Sequence, residues 1–350
     1  MLRNLSSRSG FSWLSWTKPQ CFVVLRNHSE VARDQEETPN AQKLIKVAII
    51  GVPNAGKSTF INKIVNHRIC PTSSKVHTTR AASRAITVQK GAQMIFFDTP
   101  GLVTSREMKK HHLDTSFTSG YRHSIQHSNM IGVIHDVSSH WTRGQLHGTV
   151  LETLELYKTL PSFLVLNKID CLRSKRVLLE LVDNLTMNSI EGVLRKGAKV
   201  SATEPGRPAG WPNFSRVFMV SSVTGNGLQD VQNFLLSRAT HSPWEFSEDV
   251  HTDQPSESLI EDAVRARLLD FMPQEIPYSL ESQLEYFSSV RGILYASVQV
   301  TCPNPRIERL VCGEADGKLK QITERVSSDL VEAFRMPISL TITTTSRKRE

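Results

Sequence analysis

A chain of 350 residues, 39% hydrophobic and 22% charged, has the length for two ordinary domains and the composition of a folded protein, not of a fibre or a disordered tether. It holds no run of eighteen apolar residues, which argues against a membrane-spanning helix. Its five cysteines (Cys21, Cys70, Cys171, Cys302, Cys312) form neither a CxxC pair nor a zinc-like Cys/His spacing, so reduced structural thiols are expected.

The net charge of +8 is unevenly placed. Residues 1–29 carry Arg3, Arg8, Lys18 and Arg26 without one acid, and interleave serines with Leu2, Leu5, Phe11, Trp13, Leu14 and Trp16. This basic, serine-rich, amphipathic composition marks residues 1–40 as a mitochondrial transit peptide, with a disordered arm as the plainer reading. Leu44–Ile50 is a short apolar run expected as a buried strand; a glycine loop follows, then Phe60, Ile61, Ile64 and Val65 at helical spacing. Ala85–Val88, Met94–Phe97, Ile131–Val137, Phe163–Leu166 and Val217–Val220 are further strand-like runs, and Leu151–Tyr157 and Val177–Leu185 are helical stretches between the later ones. The alternation predicts an α/β domain with a mostly parallel sheet over residues 41–241.

The Pro- and Gly-rich stretch Gly197–Ser215 is expected as an inserted loop, and residues 242–258 as a linker. Beyond it Leu259–Met272 reads as an amphipathic helix. Leu294, Ala296, Val298 and Val300 alternate as in a half-buried strand, as do Ile338, Leu340 and Ile342, while Leu319, Ile322, Val326, Leu330 and Phe334 fall at helical spacing between them. Residues 259–345 are therefore expected as a small α+β domain, with 346–350 as a basic tail.

Chemistry concentrates in the first domain. The segment Gly51-Val52-Pro53-Asn54-Ala55-Gly56-Lys57-Ser58, followed by Thr59, fits the P-loop pattern between a strand and a helix. Its backbone N–H groups surround a β-phosphate at a helix N-terminus, Lys57 supplies charge to the β- and γ-phosphates, and Ser58 is a Mg²⁺ ligand. Asn167-Lys168-Ile169-Asp170, at the end of an apolar strand, selects the base. The Asp170 carboxylate accepts both the N1–H and the 2-amino group of guanine, a pair that adenine lacks. Lys168 lies along base and ribose, and Ser221-Ser222-Val223 can offer an N–H to guanine O6. Asp98-Thr99-Pro100-Gly101 places Asp98 to hold Mg²⁺ through a water and the Gly101 N–H to sense the γ-phosphate. Thr79 is the expected second-switch ligand to the metal. Leu102 stands where many GTPases carry a water-orienting glutamine, so slow hydrolysis is expected, with Lys57, Thr79, Asn54 and Gly101 as the catalytic set.

Together these motifs resemble the TrmE–Era–EngA branch of GTPases. In that branch an asparagine at the position of Asn54 is associated with a potassium ion, so the resemblance implies K⁺ beside Mg²⁺. A single G domain does not match the tandem EngA type, and the terminal Ser346-Arg347-Lys348-Arg349-Glu350 does not match TrmE. The C-terminal pattern resembles the type II KH domain of Era proteins, and with the N-terminal composition the chain resembles a mitochondrial Era-like GTPase. The resemblance implies small-subunit ribosomal RNA and the mitochondrial small ribosomal subunit as partners, in the matrix, with peripheral inner-membrane association left open and no DNA. The G-x-x-G loop that clamps RNA in KH domains is here Gly313-Glu314-Ala315-Asp316, followed by Gly317. Either Asp316 replaces the second glycine or Gly317 closes a longer loop; Lys318 and Lys320 then offset the acids. The alternative reading is a regulatory GTPase whose C-terminal domain binds protein or membrane.

Overall fold

The computed structural model describes residues 42–73, 75, 83–102, 116–194, 210–273 and 275–347. The transit-peptide region, Thr79 and the tail residues Lys348–Glu350 lie outside them. The first apolar run forms β1 (Lys43–Ile50). Its Ile45, Val47 and Ile49 enter one core while Ala48 and Ile50 enter the other, so both faces of the strand are packed and the sequence reads as continuously apolar. β1 lies between β3 (Ala92–Asp98) and β4 (Met130–Asp136), parallel to both. β5 (Ser162–Asn167) and β8 (Phe214–Val220) extend the sheet beyond β4, again in parallel. On the other edge β2 (Ser83–Gln89) runs antiparallel to β3. The helices of this domain are α1 (Lys57–Val65), α2 (Ser116–Gln126), α3 (Gly148–Leu156), α4 (Val177–Leu185) and α5 (Leu228–Arg238). A short hairpin, β6 (Ser189–Ile190) and β7 (Val193–Leu194), follows α4.

Two sequence expectations change. The proposed insertion ends earlier than Ser215: Trp211 and Phe214 are buried, and a Cβ on Gly210 would sit 2.3 Å from the Leu185 carbonyl oxygen. Two aromatic anchors pull this end of the segment into the core. The stretch 242–258 is no free tether. After β9 (Thr240–His241), which pairs with the start of β1, it lies along the exposed edge of β2. The Ile86 N–H donates to the His251 carbonyl at 2.8 Å, and Arg84 pairs with Asp253 at 2.6 Å. The strap covers an edge that would otherwise offer unpaired backbone groups.

The second domain begins at α6 (Ser256–Phe271) and continues through β10 (Glu281–Val290), β11 (Ile293–Cys302), α7 (Pro305–Cys312), α8 (Gly317–Phe334) and β12 (Ile338–Ser346). β11 is central, antiparallel to β10 and parallel to β12. Leu294, Ala296, Val298 and Val300 all face the helices and are buried, as their alternation predicts. The order α–β–β–α–α–β is that of a KH-like type II domain. Gly313 has φ 75°, and a Cβ there would meet Lys318 Cβ at 2.8 Å. Ala315 (φ 46°) and Asp316 (φ 57°) are both left-handed, a conformation Asp tolerates better than most residues. Gly317 has ordinary helical angles and is the first residue of α8.

The domains share one apolar core, and several polar contacts cross the junction. Arg267 on α6 donates to Asp329 on α8 at 2.5 Å and to Asp270 at 2.8 Å. Asp270 accepts from Ser73 Oγ at 2.9 Å, and Asp329 pairs with Arg68 at 3.2 Å, both partners belonging to the first domain. Lys75 Nζ also donates to the Met272 carbonyl.

Candidate nucleotide site

The loop from Gly51 to Gly56 owes its shape to glycines at two close approaches. A Cβ on Gly51 (φ 154°) would lie 2.4 Å from the Ile134 carbonyl oxygen, and one on Gly56 (φ 92°) would lie 2.4 Å from Asn167 Nδ2. Between them Asn54 is exposed and left-handed at φ 60°. Ala55 is buried, Val52 packs on the core, and Pro53 lies against Gly101, where a Cβ would come within 2.8 Å of it.

Lys57 opens α1 with its ammonium folded back over the loop, donating to the Gly51 and Val52 carbonyls, each at 3.1 Å. Burial pulls its pKa down to about 8, with Asp98 acting in the opposite sense. Ser58 Oγ donates to Asp98 Oδ2 at 2.7 Å, joining the helix to the carboxyl end of β3. Thr59 is half-buried beside them, and Pro100 is buried. Thr99 Oγ1 donates to the Ile49 carbonyl at 2.6 Å, which ties the Asp98–Gly101 turn to β1. The Leu102 N–H donates to the Gly51 carbonyl at 3.0 Å, and its side chain, 4% exposed, is part of the core. A leucine at this position cannot reach a nucleotide from there.

At the base end Asn167 is a cross-link. Its Nδ2 donates to the Ala55 carbonyl at 2.9 Å, while its Oδ1 accepts from the Ser222 N–H at 3.1 Å and hydroxyl at 2.8 Å. Lys168 (φ 67°) bridges the Asn54 carbonyl and Asp136 Oδ2, both at 2.7 Å. Burial alone would raise the Asp136 pKa, but hydrogen bonds from Lys168 and Ser138 hold it below the ordinary value. Asp170 is exposed, and a hydrogen bond from Ser221 keeps its carboxyl below the usual range. Ser221 N–H and Ser222 N–H are engaged by the Asn226 carbonyl and by Asn167, and Val223 stands 69% exposed beyond them.

The phosphate cleft is bounded by Pro53, Asn54, Lys57, Ser58 and Gly101, and on its far wall by Pro71, Thr72 and Ser73. That far wall is fixed by Asn62 of α1, whose amide accepts from the Ile69 and Cys70 N–H groups at 3.0 and 2.8 Å and donates to the Cys70 carbonyl at 2.7 Å. The buried Cys70 thiol faces Asp98; burial first, then that carboxylate, raises its pKa well above normal. Neither Asn62 nor Cys70 carries a sequence signal. Asp136 does carry one, as an acid closing an apolar strand at the ligand-binding edge of the sheet.

A P-loop, an Asp98 turn and a base-reading strand end on one edge of a parallel sheet are the parts of a P-loop GTPase. A family model described as 50S ribosome-binding GTPase matches residues 46–168. Mitochondrial GTPase Era of Danio rerio is 30% identical over 355 residues, spanning 91% of this chain and 79% of the relative. Mitochondrial GTPase Era of Caenorhabditis elegans is 26% identical, spanning 86% of this chain and 89% of the relative. The solved structure of Era with MgGDPNP and nucleotides 1506–1542 of 16S ribosomal RNA superposes with a TM-score of 0.70 at 22% identity, over 87% of this chain and 94% of that one. The chain belongs to the Era family of GTPases, and its reaction is GTP hydrolysis.

Proposed function

We propose that this chain is a mitochondrial GTP-driven switch that binds small-subunit ribosomal RNA and assists assembly of the small ribosomal subunit. The observation that carries the RNA half is the second domain, an α–β–β–α–α–β unit whose α8 starts at the exposed loop Gly313–Asp316. Lys320 is exposed and Lys318 half-buried beside that loop, ready to meet phosphates alongside it. The solved Era that shares the fold holds a 16S ribosomal RNA segment, and the relatives above are named mitochondrial, which supports both the partner and the compartment.

In this reading Gly51–Thr59 wrap the phosphates, with Lys57 turning from its two carbonyl partners to the β- and γ-phosphates. The paired oxygens of Ser58 and Asp98 fit Mg²⁺, an ion that takes oxygen donors and, when bound, neutralises charge developing on the phosphates. Asp170 reads guanine, Lys168 lies along base and ribose, and the Val223 N–H serves guanine O6, the N–H groups of Ser221 and Ser222 being engaged by Asn226 and Asn167. Asn167 works by holding those loops together instead of touching the nucleotide. Thr79 is assigned to the metal from sequence alone.

Filter binding with 3′ fragments of small-subunit ribosomal RNA tests the proposal. GTP-loaded protein is expected to bind with an affinity that falls steeply as salt rises. An affinity that is absent, or flat with salt, overturns the RNA reading in favour of a protein- or membrane-binding switch. Asn54 makes a second expectation. With Leu102 buried, no side chain at that position orients water; Asn54 is the residue that would hold a monovalent cation, which would supply charge stabilisation at the phosphates. Hydrolysis in KCl is expected to exceed that in NaCl by about tenfold or more, on the scale of one charge-stabilising group. Equal rates in the two salts would remove Asn54 from the catalytic set.

A further inference from the structure

We infer that the loop from Val137 to His147, with Trp141 at its tip, is a second RNA contact on the GTPase domain, taking an unpaired base on the indole and phosphates on the neighbouring cations. The inference rests on the RNA reading above and adds a site to it.

Trp141 is 91% exposed, whereas the same residue type at Trp211 is 8% exposed. The loop that carries it is held firmly. Val137 and Leu146 anchor its two ends in the core. Asp136 Oδ1 accepts from the Ser138 N–H at 2.8 Å and hydroxyl at 2.6 Å, the Arg143 N–H donates to the Ser139 carbonyl at 3.1 Å, and His135 Nε2 meets the Arg143 carbonyl at 2.9 Å. His147 accepts from the Thr149 N–H and caps α3. Among the rings of the described residues, Trp141 meets His140 edge-on, at 6.0 Å between centroids. A rigid loop thus keeps a large aromatic face in water, where it loses little entropy on meeting a partner.

Charge identifies the partner. β4 and β5 are parallel neighbours with Asp136 opposite Asn167, so the loops leaving their carboxyl ends emerge side by side. Residues 137–147 and 171–179 contain Arg143, Arg173, Lys175 and Arg176 and no acid. Arg173, Lys175 and Arg176 are exposed, and none of the four belongs to an ion pair among the described residues. Of the acids flanking these stretches, Asp136 is engaged by Lys168 and Asp170 by Ser221, while Glu180 is exposed in the first turn of α4. An exposed indole on one loop and four cations shared between it and its neighbour suit a chain with anionic links and aromatic faces, which is single-stranded RNA.

The test uses the full chain, GTP-loaded, with the same ribosomal RNA fragments. W141A is expected to weaken RNA binding about tenfold, on the scale of one lost base stack, with GTP affinity and unfolding midpoint unchanged. W141F should recover most of the loss. R173A/K175A/R176A should lower the slope of log affinity against log salt by about 2. Wild-type RNA affinity in W141A overturns the second contact while leaving the RNA reading intact; absence of RNA binding by the wild type overturns both. If W141A keeps its RNA affinity but no longer co-sediments with small subunits, the loop's partner is a protein and the RNA assignment is wrong.

Discussion

Asp170→Asn is expected to lower GTP affinity by on the order of 10³-fold and to raise the affinity for xanthosine nucleotides, while leaving the fold unchanged. The carboxylate presents two acceptors to the two adjacent donors of guanine, N1–H and the 2-amino group. An amide in its place turns one acceptor into a donor, so one guanine donor faces another and both lose a partner on leaving water. Xanthine carries a carbonyl where guanine has the amino group, and the amide meets that edge correctly. The fold should not respond, because Asp170 is exposed and its Ser221 hydrogen bond can be kept by the amide oxygen. Competition of GTP and xanthosine triphosphate for the loaded site measures the switch. If the Asp170→Asn variant kept the wild-type preference for GTP, guanine would be read elsewhere.

The place of Asp170 after an apolar strand is legible in the chain alone, whereas the cross-link made by Asn167 is not. Asp170, Lys57 and Asp98 each follow a strand or open a helix, and their chemistry is local to a motif of a few residues. Asn167 belongs to the same motif, yet its partners Ala55 and Ser222 lie 112 and 55 residues away and exist only once β1, β5 and β8 are side by side. The strap across β2 was hidden for a similar reason. Composition marks residues 242–258 as a boundary, but the His251 carbonyl meets the Ile86 N–H only through tertiary packing. α7 was a different kind of miss. Only Val311 of its eight residues is buried, too few to give a periodic signal. In the structure Asn304 caps it by accepting from the Ile307 N–H, and Pro305 takes the first turn. At the loop between α7 and α8 the sequence leaves Asp316 and Gly317 as alternatives, and only backbone angles distinguish a left-handed aspartate from a helical glycine.

Asp329→Ala is expected to destabilise the second domain and its junction by about 3 kcal/mol, the low end of the cost of breaking a buried ion pair. Arg267 is 8% exposed and Asp329 7%, so neither can turn to water when its partner goes. Burial alone would lower the Arg267 pKa, but Asp329 and Asp270 outweigh it and keep the guanidinium charged. Removing Asp329 leaves that charge with Asp270 at 2.8 Å, and leaves Arg68 with the exposed Glu332 at 3.4 Å. The figure sits at the low end because one carboxylate remains on Arg267. Coulomb attraction within the pair is not the source of the loss: a matched apolar replacement, Arg267→Met with Asp329→Leu, removes both charges and should recover most of it. Chemical unfolding of the full chain, followed by a probe on α8, separates these cases. A midpoint unmoved by Asp329→Ala would mean water reaches the junction. A double variant no more stable than the single would mean that the hydrogen-bond geometry linking Arg68, Asp329 and Arg267, not the buried charge, holds α6, α8 and the first domain together.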